Sequence, residues 1–569
     1  MNIEHALVCV FSAALAEVAG FDVDPAVRRS PRADFQVDGA LALARRLGRP
    51  PVQVAQEVLD RVDWAGLHAT AQVAGPGFIN VTLDDRFLAQ ELHRVATDER
   101  LGVAAATPQV VTIDYSAPNV AKEMHVGHLR STVIGDAAAR LLSFLGHQVR
   151  RMNHVGDWGT PFGMLIEHLL DIGETEAAHE LSVGDLTAFY QAARAKFDSD
   201  PGFAQRSRLR VVALQAGDEQ TRRLWRLLVE ESEKYFLAVY GKLGVTLSDA
   251  DFLPESFYND ELAPLVKELD EQGLLHDSQG AKCVFPPGFA GRDGEPLPLI
   301  VRKSDGGFGY AATDLASVKY RTGPLAADRM LYFVGTPQRL HFEMVFAAAR
   351  QAGWIGEKVE VRHVNFGSIL GEDGKMLKTR AGQTIKLIEL LDEAVSRAAA
   401  IVADKSPHLE AETQAQVAWA VGIGAIKYAD LSSDRVKDYV FDWDRMLATN
   451  GDTAAYLQYA CARIGSIFRK GAVVPDPAAP VTLAHPAERA LAMELLAFPA
   501  VLDTAARTVE LHRLAGYLFG LAGLYTEFYS HCRVLGSAEQ AGRLVLCDVT
   551  RRTLVLGLDL LGIVVPERM

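Results

Sequence analysis

Cysteine is scarce. The 569 residues contain five, Cys9, Cys283, Cys461, Cys532 and Cys547, with no C-x-x-C spacing. That pattern argues against a disulfide framework and against a zinc site, and it leads to the expectation of a reducing, cytoplasmic setting. Long apolar runs are missing too. No stretch reaches the roughly 18 apolar residues that a membrane-spanning helix needs, so a soluble chain with no membrane partner is expected. The apolar run from Ala6 follows Glu4 and His5 rather than positive charge and leads to no small-residue cleavage pattern, so it reads as an amphipathic helix and not as a secretory signal. Positive charge is also in deficit: 58 Lys plus Arg against 72 Asp plus Glu leave a formal charge of −14. Net acidity counts against a polyanionic partner unless basic residues cluster locally. Internal repeats and low-complexity tracts are absent.

What is there is an ordinary globular composition, 49% hydrophobic and 23% charged, capable of burying a sizeable core. At about 150 residues per domain the length suggests three or four domains. Three textures separate. Residues 1–105 begin helical and close on the strand-like Phe78 to Leu83 after the Gly75-Pro76-Gly77 turn, which predicts a small α+β module. Residues 106–390 alternate strand-like and helix-like segments, the pattern of a parallel α/β sheet. Its sharpest unit is a βαβ crossover from Gln109 to His154, with a helix over Val126 to Leu145 stopped by Gly146. Residues 174–247 turn helical and charged and are expected to be an insertion, with strand signals resuming over Ala281 to Ile300. From residue 391 to 569 helical patterns dominate. Leu511, Leu514, Leu518, Leu521, Tyr525 and Phe528 recur at helical spacing, the stripe of a bundle helix.

Two stretches can carry chemistry. In the crossover, the first strand ends at Asp114, and a polar loop leads into His125-Val126-Gly127-His128 at the start of a helix. Ligands of open α/β sheets sit at the carboxyl ends of strands, and helix N-termini attract phosphate. Two imidazoles three residues apart share a helix face and can donate hydrogen bonds to phosphate oxygens; equally, they can cap the helix or bind a metal. The second stretch is Gly371-Glu372-Asp373-Gly374-Lys375-Met376-Leu377-Lys378-Thr379-Arg380-Ala381-Gly382. Only 16 residues in the chain are lysine, so Lys375, Lys378 and Lys386 form a local enrichment. Such a loop can neutralise a triphosphate, or be a solvated basic turn before a helix.

Together these stretches resemble the HIGH and KMSKS signatures of class I aminoacyl-tRNA synthetases. The tract from Asp114 through Ser116-Ala117-Pro118-Asn119-Val120-Ala121-Lys122 to His154-Val155-Gly156-Asp157-Trp158-Gly159 is similar to the arginyl-tRNA synthetase family, as are Tyr310-Ala311-Ala312-Thr313-Asp314 and the terminal Val565-Pro566-Glu567-Arg568-Met569. The resemblance spans essentially the whole chain. It implies a multidomain α/β protein: a Rossmann-type parallel-sheet catalytic domain with a helical insertion, a small N-terminal α+β domain and a C-terminal all-α helical bundle.

The implied activity is ATP-dependent attachment of L-arginine to its cognate tRNA through an arginyl-adenylate, releasing AMP and pyrophosphate, with tRNA needed for activation. ATP is a substrate, Mg²⁺ is carried mainly by its phosphates, and no zinc or other protein-held metal is implied. A monomer is the family expectation. The resemblance gives His125, Gly127 and His128 to ATP, and Lys122, Lys375 and Lys378 to transition-state charge. Leu377 stands where KMSKS has serine, which leaves the sharing of that charge among the three lysines open. Asp114, Asp314 and Tyr310 would hold the substrate guanidinium, and Asn119 and Gln338 its α-amino end. Phe78 and Asn80 would contact the tRNA elbow; Tyr456, Tyr459, Arg463 and Met569 would contact the anticodon side. Read from the residues alone, Asp314 can be a helix N-cap, Phe78 and Asn80 a core-facing strand, Tyr456 and Tyr459 core residues, and His341 a packed surface histidine. Arg28 to Arg32, Arg206 to Arg226, Lys375 to Lys386, and Arg463 to Lys470 are the basic clusters where RNA is expected. The rivals are another class I synthetase, which would not need two acids at the amino-acid site, and a silent RNA-binding relative, which would not need the histidines.

Overall fold

The computed structural model describes residues 2–64, 66–120, 122–173, 186–304, 306–377 and 385–569. These form two compact units, one of residues 106–448 with 560–563 and one of residues 2–105, 449–559 and 564–569.

The second unit joins the two ends of the chain. Helix α1 (Ile3–Ala19) starts where Asn2 accepts a hydrogen bond from the His5 N–H, buries Ile3, Leu7, Phe11, Ala14 and Leu15 on one stripe, and stops at left-handed Gly20. Strands β1 (Val27–Ser30), β2 (Ala33–Val37), β3 (Ala69–Ala74) and β4 (Phe78–Leu83) make an antiparallel sheet in the order β1-β2-β4-β3. Ile79, Val81 and Leu83 of β4 are buried with Phe35 and Val37 of β2. By the period of two, Phe78, Asn80 and Thr82 face the other side. The bundle comprises helices Ala454–Gly471, Pro486–Leu495, Phe498–Thr508, His512–His531 and Gln540–Leu560. The stripe from Leu511 to Phe528 is buried throughout. Arg489 of the bundle grips the N-terminal module, with a fork on Asp34 at 2.7 and 2.8 Å and its Nε on Asp85 at 2.7 Å.

The other unit contains the parallel sheet, in the order β11-β10-β5-β6: β5 (Val110–Asp114), β6 (Gln148–Met152), β10 (Arg329–Tyr332) and β11 (Glu360–His363). Helix α5 (Val126–Phe144) makes the crossover from β5 to β6. It packs closely enough that a Cβ on Gly135 would lie 2.4 Å from Tyr115. The chain then returns to the far side of β5, where β10 pairs with it in parallel. The order therefore reverses between β5 and β10, and a crevice at their carboxyl ends is the expected ligand site.

The insertion is helical over Leu186–Ser199, Pro201–Ala216 and Glu219–Leu243; residues 174–185 lie outside the described residues. Three details differ from the sequence reading. The strands over Ala281 to Ile300 belong to a separate three-stranded antiparallel sheet, β7-β8-β9 (His276–Ser278, Ala281–Val284, Leu299–Arg302), and do not extend the parallel one. Strands do not end before residue 391, because Tyr439–Val440 pairs with Ile369–Leu370. Helices Leu387–Lys405 and Ala411–Leu431 group with the parallel sheet rather than with the bundle.

Candidate active site

The loop after β5 is held in an unfavourable shape by a buried network. Ser116 and Ala117 sit at φ 73° and 46°, left-handed values that ordinary side chains rarely adopt. Ser131 Oγ accepts from the Ser116 N–H at 2.9 Å and donates to the Phe333 carbonyl at 2.6 Å. Ser116 Oγ also meets the Tyr240 hydroxyl at 2.8 Å, and Asn153 Oδ1 accepts from the Ala117 N–H. The loop then runs beside Gly156 so tightly that a Cβ there would lie 2.3 Å from Oδ1 of Asn119. This leaves Asn119 exposed at the strand ends.

At the start of α5 both imidazoles cap the helix. The His125 Nδ1 accepts from the Gly127 N–H at 3.0 Å, and the His128 Nδ1 accepts from the His125 N–H at 3.1 Å. Accepting through Nδ1 fixes the tautomer, so each neutral ring carries its proton on Nε2. Burial pushes the His128 pKa down to about 3, and burial with the nearby Lys122 lowers that of His125. Both rings are thus neutral Nε2–H donors at physiological pH, with centroids 4.2 Å apart. Capping uses one nitrogen of each ring and leaves the other to donate. Gly127 is required by the histidine itself, since a Cβ would stand 2.7 Å from Cε1 of His125.

The chain beyond the second signature comes back to the first. The residues just after the second one run antiparallel to the first: the Val126 N–H donates to the Ile385 carbonyl at 3.1 Å and the Leu387 N–H to the Met124 carbonyl at 2.8 Å. Lys386 pairs with buried Glu123 at 2.8 Å. Lys375 is exposed on a tight hairpin in which the Gly371 N–H bonds the Lys375 carbonyl and the Leu377 N–H bonds the Ile369 carbonyl. Lys378 lies outside the described residues. Lys122 rests with its ammonium 4.4 Å from the centroid of the Tyr190 ring, in the insertion.

On the β10 side, helix Tyr310–Thr322 begins at Gly309, so Asp314 lies in the second turn and is not an N-cap. Tyr310 is 75% exposed, and Gln338 is exposed at the end of the short turn Thr336–Gln338. Asp314 is partly exposed and has His341 Nε2 at 2.6 Å. Asp114 is differently placed from the expectation: it is buried, and its Oδ2 accepts from Arg321 of the chain at 2.5 Å, with the guanidinium 4.5 Å from the centre of the Tyr332 ring. An internal arginine thus occupies one oxygen of the carboxylate that the resemblance gave to substrate.

The sequence reading missed Glu255. Burial, with the Asp157 and Asp314 carboxylates, pushes its pKa up to about 8; Asp157, bonded by the Ser256 N–H and hydroxyl, is pushed up to about 6 by burial. Asp157 and Asp314 thus both act on Glu255, and no local pattern around Pro254-Glu255 announces the grouping.

In the other unit, Asn80 is buried on the outer face of β4, its Oδ1 without a hydrogen-bond partner among the described residues, level with Gln36 and Gln72 on the adjoining strands. Phe78 is half-buried on the same face. This face is opposite the hydrophobic core, so neither residue is an ordinary core position. In the bundle Tyr456 is half-buried against Phe519, Tyr459 is 51% exposed, Arg463 lies 4.4 Å from the centroid of Tyr529, and Met569 is half-buried. The basic clusters are partly neutralised. Arg206 pairs with Glu167 and Asp171, Arg210 with Glu167, Arg28 with Asp38, and Arg29 with Glu494.

Family comparisons agree over nearly the full length. Residues 91–443 match the tRNA synthetases class I (R) catalytic domain, 2–83 the arginyl tRNA synthetase N terminal domain and 457–569 the DALR anticodon binding domain. The chain is 57% identical over 554 residues to an arginine–tRNA ligase of Thermobifida fusca, covering 96% of each chain. The chain belongs to the arginyl-tRNA synthetase family. An Escherichia coli member is 47% identical over 568 residues, covering 98% of each chain. Among solved structures, arginyl-tRNA synthetase from Plasmodium falciparum superposes with a TM-score of 0.88 at 28% identity, covering 100% of this chain and 99% of that one. The Thermus thermophilus arginyl-tRNA synthetase superposes at 0.82 with 26% identity and full coverage of both. The multidomain α/β architecture is thus that of the family. Among the described residues no helix is long and apolar enough to cross a membrane.

Proposed function

We propose that this enzyme activates L-arginine with MgATP and transfers it to its cognate tRNA. The arginine carboxylate oxygen attacks the α-phosphorus, the bond to the β-phosphate bridging oxygen breaks, and pyrophosphate leaves. The 2′-hydroxyl of the terminal tRNA adenosine then attacks the adenylate carbonyl and AMP departs. No protein nucleophile takes part. The paired neutral imidazoles of His125 and His128 carry the reading: preset Nε2–H donors at the crevice stabilise charge developing on the phosphates without reorganising. Lys122, Lys375 and Lys378 supply positive charge, with Lys122 leaving Tyr190 to do so, and Mg²⁺ arrives on the triphosphate.

For the amino acid we assign Asp314, backed by Glu255 and Asp157, to the guanidinium, with Tyr310 adding a hydroxyl and Asn119 and Gln338 holding the α-amino end. Asp114 acts one step back, fixing Arg321 beneath the site. The amide row Gln36, Asn80 and Gln72 with Phe78 suits an unstacked base, and the exposed Tyr459 with Tyr456, Arg463 and Met569 suits the anticodon loop. We further assign a cytoplasmic monomer, from the reducing-compartment cysteine usage and the family. The test is pyrophosphate exchange across a panel of amino acids, with and without cognate tRNA. Exchange is expected with arginine alone and only when tRNA is present; activity with another amino acid would overturn the assignment.

A further inference from the structure

His341 has no part in the mechanism above, yet it holds the carboxylate that the mechanism needs. Its Nε2 stands 2.6 Å from Oδ2 of Asp314, and its side chain is 31% exposed while that of Asp314 is 18% exposed. The pair is therefore reachable by a ligand. A guanidinium captures a carboxylate best as a fork on both oxygens, and here one oxygen is already engaged. We infer that His341 is the resident occupant of the arginine side-chain site: as imidazolium it holds Asp314 in the free enzyme, and the incoming guanidinium displaces it, so that arginine binding expels a proton. This rests on the assignment of Asp314 to the guanidinium.

The charge balance supports it. Burial, together with the neighbouring Asp157 and Asp314 carboxylates, holds Glu255 protonated to about pH 8. An unoccupied site relieves that repulsion by proton uptake on Glu255 and by a cation on Asp314. The hydrogen bond to Asp314, then its charge, raise the His341 pKa from the ordinary value, against burial. Among the described residues, the other charged groups nearby are bound elsewhere. On the helix of His341, Arg339 is paired with Glu343 at 2.7 Å. Beneath the site, Arg321 is bound to Asp114 with the Tyr332 ring against it, and His363 donates through Nε2 to the Val334 carbonyl.

When the guanidinium binds, the positive charge on Asp314 is exchanged and the imidazole, returned towards its ordinary pKa, loses its proton to solvent. Arginine affinity should then rise with pH through the range just above 6.5 and level off once His341 is neutral in the free enzyme. A second consequence is selectivity. A resident that must be displaced favours a ligand making two bonds at once over a lysine ammonium, which makes one point contact.

The experiment is calorimetric titration of the full chain with L-arginine at pH 7, in two buffers of different ionisation enthalpy. Wild type should release a measurable fraction of a proton, up to about one per arginine from His341. His341→Gln should release less, any remainder coming from Glu255, bind arginine about 3- to 10-fold more tightly than wild type at pH 6, and discriminate less against lysine. A wild-type heat independent of buffer, or the same proton release and pH profile in His341→Gln, would overturn the proposal. Arginine affinity equal in wild type and Asp314→Ala would instead overturn the assignment of Asp314 itself, and this inference with it.

Discussion

Glu255 shows how a single side chain takes its chemistry from surroundings that are far away in sequence. Its carboxyl is ordinary in the unfolded chain, but burial and two neighbouring carboxylates keep it protonated to about pH 8 in the folded one. A group whose folded pKa is raised binds its proton in the native state but not in the unfolded state across the interval between the two values. Stability contributed this way is present below about pH 4.5 and lost as pH rises towards 8. Glu255→Gln should therefore flatten the decline of unfolding midpoint between about pH 5 and 8, by the equivalent of about 4 kcal/mol across the window. An unchanged slope in thermal melts would remove Glu255 from the acidic pocket. Asp114 makes the converse point. Its position at the tip of β5 is predictable, but its partner Arg321 is 207 residues away, so the internal pairing was not.

At the scale of elements, the entry to α5 is suited to two jobs with the same residues, the helix cap and the proposed binding of phosphate. The cap bonds through the Nδ1 atoms point both Nε2–H groups outward, and the helix N-terminus contributes its own attraction for phosphate. Gly127 links the two jobs because the His125 ring lies over its α-carbon. Gly127→Ala should leave the fold intact, as judged by circular dichroism, but push the ring aside and lower kcat for pyrophosphate exchange about 10- to 100-fold with little change in arginine binding. A wild-type kcat would show that the ring position is unimportant. The crossover itself was visible in the chain as apolar strand, helix pattern and Gly146 stop. The left-handed turn at Ser116 and Ala117 was not, because neither residue type advertises φ above zero.

The molecule as a whole contains a unit that is discontinuous in sequence. The N-terminal sheet module and the C-terminal bundle form one unit, clamped by Arg489 on Asp34 and Asp85 and by Arg552 on the carbonyls of Ala96 and Asp98. Asp34 is nearly buried, so Arg489→Ala would leave its charge uncompensated. The cost should be on the order of 2–3 kcal/mol, somewhat below that of breaking a fully buried pair. Hydrogen exchange should show faster amide exchange in β2 and β4 with arginine binding unchanged; unaltered protection would make the clamp a surface decoration.

The sequence by itself determined the parallel α/β core with its crossover, the helical stripe of the bundle, the two signatures and the histidine pair. These rest on periodicity, turn chemistry and short-range spacing, which are local properties of a chain. Only the tertiary structure decided that Asp314 is paired with His341, that Asp314 and Asp157 both act on Glu255, that Asp114 is bound to Arg321, and that the chain's two ends form one unit. Each of these is an electrostatic or packing relation between residues tens to hundreds of positions apart, and such pairings exist only once the sheet order and the domain packing have closed.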